Sequence, residues 1–69
     1  MTREEQIRIL KAAGIASPKK TLEAYGALFF NSMEEIEEYG KQNDVEIPDY
    51  AINRADLDGI TYYIVVLDY

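Results

Sequence analysis

The stretch Ile60-Thr61-Tyr62-Tyr63-Ile64-Val65-Val66-Leu67-Asp68-Tyr69 is almost entirely β-branched or aromatic, and its reading decides the fold. Residues of that kind suit a pleated, packed surface, so the stretch predicts a strand over 60–69. Tyr62, Ile64 and Val66 point one way, and Tyr63, Val65 and Leu67 point the other. A strand buried on one side alternates apolar with polar; this one is apolar on both and reads as the central strand of a sheet.

Its neighbours follow outward. Asp56-Leu57-Asp58-Gly59 carries Asp at the first and Gly at the fourth turn position. That pattern predicts a type I turn with Gly59 supplying the positive φ of a bulge. Before it, Tyr50 to Arg54 alternates weakly, as a strand over 49–55 with one buried face would, and Ala27-Leu28-Phe29-Phe30 is short enough for a buried strand. A helical crossover between these two makes them parallel, with the C-terminal strand fitting antiparallel between them.

Three helices complete the pattern. Thr2-Arg3-Glu4-Glu5 fits a capping box, and Ile7, Leu10 and Ala13 recur at helical spacing up to Gly14, which predicts a helix over 3–13. Ser17-Pro18 reads as an N-cap followed by proline at the first helical position, opening a second helix that runs to about Tyr25 before Gly26. Ser32-Met33-Glu34-Glu35 is a second capping box, with Met33, Ile36 and Tyr39 or Gly40 on the apolar side of a helix reaching about Gln42. The predicted fold is a small single α+β domain, residues 1–69, of order ααβαββ. Its three-stranded sheet has order 1-3-2, the C-terminal strand is central, and the helices pack on one face. Any uncovered remainder of the sheet would be rich in tyrosine and suited to a contact.

Sixty-nine residues without Cys or His leave neither a disulfide nor a Cys/His zinc site to reinforce the core. A chain of this size buries roughly 60% of its unfolded surface. Its core seldom contributes more than about 3–5 kcal/mol net. Met1 leads into a charged amphipathic stretch instead of an apolar leader, and the longest apolar run, Tyr62 to Leu67, is far short of a membrane span. The expected location is the cytoplasm, and the chain reads as a complete small gene product.

Charge is the departure from the ordinary. Met1 to Met33 holds five bases and three acids; Glu34 to Tyr69 holds ten acids and two bases, Lys41 and Arg54. The net charge of −6 is therefore concentrated in the second half. Such a surface repels nucleic acid and membrane and attracts basic partners. Part of the acidity has a local purpose. Glu34, Glu35, Glu37 and Glu38 lie on the first turns of a helix, where the dipole favours acids. On the basic side, Glu4 and Arg8 stand at i,i+4 spacing and are expected to pair. The remaining acids extend the band through Asp44, Glu46, Asp49, Asp56 and Asp58.

No spacing carries chemistry. Aligning Gly59 with the glycine of a calcium loop puts Arg54 and Val65 at the first and twelfth ligand positions, and neither can serve. His, the commonest general base, is absent, and no phosphate-cradling glycine pattern occurs. Paired carboxylates would need a cleft that so short a chain has little room to build. The expectation is a protein that is not an enzyme, with no cofactor and no metal. Among the tyrosines, Tyr25, Tyr39, Tyr62 and Tyr63 are expected to fill core volume, whereas Tyr50 and Tyr69 suit surface anchors.

The functional expectation is an acidic protein-binding inhibitor whose carboxylates stand in for nucleic-acid phosphates. It would block a basic, nucleic-acid-binding partner, as small acidic phage-encoded anti-defence proteins of the anti-CRISPR or antirestriction kind do. The expected contact residues are Glu34, Glu37, Glu38, Asp44, Glu46 and Asp49, with Tyr50 as the anchor. Direct contact with nucleic acid or membrane is not expected. The alternative is a small homodimeric regulatory or structural module that buries an apolar sheet face. A small enzyme is the third reading, and it requires a carboxylate with a raised pKa in a pocket.

Overall fold

A computed structural model describes residues 1–67. Positions 68 and 69, which include Tyr69 as a surface anchor and the end of the expected strand, lie outside the described residues. The elements are α1 (Arg3–Ala12), α2 (Pro18–Ala24), β1 (Ala27–Phe30), α3 (Met33–Asn43), a single 3-10 turn (Asp49–Ala51), β2 (Ile52–Leu57) and β3 (Ile60–Val66). The sheet order is β1-β3-β2 with both outer strands antiparallel to β3, so the α+β class, the ααβαββ order and the central C-terminal strand are as the sequence indicates.

The helix ends follow local chemistry. The Glu5 amide donates to the Thr2 hydroxyl at 3.2 Å, and that hydroxyl donates to the Glu5 carboxylate at 3.2 Å. At the other end of α1, Ile15 N–H reaches the Leu10 carbonyl and Gly14 N–H the Lys11 carbonyl, with Gly14 at φ 86°. This closes the helix as a Schellman motif. Ser17 occupies the cap position of α2 but makes no side-chain capping bond, so only Pro18 plays its expected part there. On α3, the Glu35 amide donates to Ser32 Oγ at 3.2 Å, while the Glu35 carboxylate accepts from the Asn31 amide at 2.6 Å. The box is thereby extended by one residue.

Strand parity defines two faces. Phe29 pairs with Ile64 and Ala55 with Tyr62, which sets these residues on one face, where Ile9 and Leu10 of α1 pack on Ala55 and Ile64. Ile9, Leu10 and Ile64 are the most fully buried side chains, and each contributes about 1.5–3 kcal/mol of transfer free energy. Phe30 pairs with Tyr63 on the opposite face and meets Tyr39 of α3 edge-on, with ring centroids 5.7 Å apart. The helices are thus divided, with α1 and α2 on one face and α3 on the other at the β1 edge, instead of all lying on one face. The doubly apolar β3 explains this division: Ile64 and Val65 point to opposite faces and both are buried, which no one-sided cover could achieve.

Two further boundaries differ from the sequence reading. Residues 49–51 form the 3-10 turn instead of the start of a strand, because Ala51 N–H closes back on the Pro48 carbonyl at 3.0 Å. The hairpin loop is the two residues Asp58 (φ 53°) and Gly59 (φ 77°), between the paired Leu57 and Ile60. Two successive positive φ values make a type I′ turn, whose twist matches that of the strands. No bulge is needed, and Asp56 belongs to β2.

Candidate protein-binding surface

α3 is amphipathic by construction. Ile36 is buried, while Glu34, Glu38 and Lys41 lie nearly half a turn away and Glu37 about 100° away, and all four are exposed. The helix stops at Asp44, which adopts the left-handed conformation at φ 53°, and Val45 N–H then bonds the Gly40 carbonyl at 2.9 Å. Aspartate tolerates that conformation better than most residues. The chain then folds back tightly along the end of α3. A Cβ at Gly40 would lie 2.8 Å from the Val45 carbonyl oxygen, so only glycine admits this approach.

The result is a groove of about 460 Å³ lined by Ile36, Glu37, Gly40, Lys41, Asp44, Val45, Glu46 and Ile47. Of the expected contact residues, it gathers Glu37, Asp44 and Glu46. Glu34 and Glu38 are exposed on the same helix, and Asp49 follows in the 3-10 turn. Tyr50 is 92% exposed, as an anchor must be, yet it borders a different groove with Ile15, Thr21, Tyr25, Ala51, Asn53 and Val66. The anchor and the main acid group therefore do not share one concavity. Tyr25 departs from expectation, being 48% exposed beside that second groove instead of filling core volume.

The acids beyond Tyr50 acquire partners that the sequence does not show. Arg8 reaches across to Asp58 at 3.2 Å instead of pairing with Glu4, which ties α1 to the hairpin turn. Asp56 accepts from the Thr61 hydroxyl at 2.7 Å and lies 3.5 Å from Arg54. Arg3 pairs with Glu23 at 3.9 Å. These three are the ion pairs among the described residues, and none includes an acid of α3 or of the loop after it. Between Met33 and Ala51 the chain has seven acids and one base. The charge bias along the chain thus becomes a two-sided one: Lys11, Lys19 and Lys20 belong to the α1–α2 side of the sheet, where Glu4, Glu5 and Glu23 also lie, and the glutamates of α3 to the other. Among the described residues no three carboxylates converge as a metal site, and no helix is long and apolar enough to cross a membrane.

The Thr61 hydroxyl, helped by the Arg54 guanidinium, holds the Asp56 carboxyl below its ordinary value. A depressed folded-state pKa means that the stabilisation is present above the unfolded pKa and is lost as pH falls through the folded one. Thr61→Val is expected to move the Asp56 carboxyl pKa back upward. Carboxyl-detected NMR titration checks this, and an unmoved Asp56 would assign the depression to Arg54 instead.

Sequence reasoning did not anticipate the apolar lining of the α3 groove. The signal was present in Val45-Glu46-Ile47, where two apolar residues flank an acid directly after a helix stop.

Comparison of the chain with protein-family models, with curated proteins and with solved structures finds no match in any of the three. The fold and this surface define a small three-helix, three-stranded α+β domain with an acidic α3 side.

Proposed function

We propose that this domain is a non-enzymatic inhibitor, acting in the cytoplasm, that presents its α3 side to a basic nucleic-acid-binding protein. Its carboxylates take the place of phosphates there, in the manner of a phage anti-defence protein. The observation that carries this reading is the concentration of seven acids against one base between Met33 and Ala51, with none of the ion pairs of the described residues involving those acids. Exposed carboxylates held on a helix and a tight loop meet a cationic groove at little cost in ordering. Asp56 and Asp58, which extend the acidic band in sequence, stay outside the contact set, because Arg54, Thr61 and Arg8 already engage them.

The homodimer reading rested on an uncovered apolar sheet face, whereas Ile64 and Val65 are both buried within one copy.

Binding to proteins captured from a bacterial lysate should weaken steeply as salt rises from about 50 to 500 mM, since exposed charge pairs are screened over that range. Capture that persists undiminished across the series would rule out the electrostatic mechanism.

A further inference from the structure

We propose that the groove at the end of α3 is a receptor for a single arginine side chain of the partner. The inference rests on the inhibitor reading and deepens it, by naming the chemistry that the acidic side selects. The groove combines two features that seldom coincide by accident. Its apolar lining comes from Val45, Ile47 and Ile36, and Val45 is 49% exposed. Its charged lining is predominantly acidic, with Glu37, Asp44 and Glu46 against the single base Lys41. A bare cation would gain nothing from the apolar lining, and an apolar ligand would gain nothing from the acids. An arginine uses both, laying its methylene stem on the apolar lining and its guanidinium against the carboxylates. Arginine is favoured over lysine because its planar fork pairs bidentately with carboxylate and is more weakly hydrated. The site is held in shape by the close Gly40–Val45 approach and the 2.9 Å bond between them, so little ordering is left to binding.

The test is an NMR titration of the full-length, isotope-labelled chain with guanidinium, ethylguanidinium and n-butylguanidinium at constant ionic strength. 1-Butanol and n-butylamine serve as controls for the stem and the head. Saturable shifts are expected at the amides of Gly40, Lys41 and residues 44–47. Affinity should rise with stem length, up to about fourfold for each methylene that is fully buried. Val45→Ser, an exposed position, should reduce n-butylguanidinium to the level of guanidinium, and Glu37→Gln with Glu46→Gln should weaken the whole series. Equal binding of all three guanidinium compounds, equal binding of 1-butanol, or shifts that are as large around Asp56–Gly59 would overturn the assignment. If the series fails while lysate capture remains displaceable by DNA, the arginine receptor is wrong and the inhibitor reading survives. If the series holds and DNA displaces nothing, the receptor stands and the nucleic-acid-binding identity of the partner falls.

Discussion

Leu10→Ala should leave the domain largely unfolded in dilute buffer. Leu10 has no exposed surface and packs with Ile9, Ala55 and Ile64, the cluster that joins α1 to the β2–β3 hairpin. Truncating such a side chain costs about 2–5 kcal/mol, part of it lost transfer free energy and part the cavity left behind. A single core in a domain this small contributes only about 3–5 kcal/mol net. The two ranges overlap, and no disulfide or Cys/His zinc site stands in reserve. Circular dichroism with urea titration reads the result. Tyr50→Ala, at a site 92% exposed, serves as the contrast and should stay within about 0.5 kcal/mol of the parent. A Leu10→Ala protein with an unchanged urea midpoint would show that the α1–sheet contact is not the core of the molecule.

Gly40→Ala sets two effects against each other. Replacing a helical glycine by alanine normally favours the helix by about 1 kcal/mol. Here the new methyl would lie 2.8 Å from the Val45 carbonyl oxygen, which is backbone and cannot rotate away. Relief requires the loop to lift, and that strains the 2.9 Å bond from Val45 N–H to the Gly40 carbonyl and the left-handed turn at Asp44. Overpacking of this kind costs about 1–3 kcal/mol, so the clash should win. The expected net loss is about 1 kcal/mol, the difference between the two effects. Amide shifts should be concentrated at residues 44–47, where the groove would be reshaped. A raised urea midpoint would mean that the loop yields freely, and the groove would then lose its claim to be preformed.

How far the sequence carries can be argued from the same residues. The central strand was legible because Tyr62 to Val66 is apolar on both faces, and the helix starts because Thr2 and Ser32 stand three residues before a glutamate. The distribution of the helices was not legible, since periodicity gives each helix an apolar side without saying which face of the sheet it meets. The hairpin was misjudged by its composition: Asp56 and Asp58 suit a four-residue turn equally well, and only the Leu57–Ile60 register decides for the two-residue loop. For the candidate site, the exposure of Tyr50 and of the α3 glutamates followed from spacing. The engagement of Asp58, at the end of the acidic band, did not, because Arg8 lies fifty residues before it. Nor could spacing reveal the groove, which depends on a helix stop without glycine at Asp44 and a glycine required four residues earlier for close approach.

The proposed function has the α3 side occupying a nucleic-acid-binding groove on another protein. The most direct measurement immobilises the domain, captures proteins from a bacterial lysate, and then adds duplex DNA at constant ionic strength. DNA is expected to release the captured protein, and a Glu34→Gln, Glu37→Gln, Glu38→Gln, Glu46→Gln variant is expected to capture little of it. Retention that duplex DNA does not diminish, or equal capture by the neutralised variant, would contradict it.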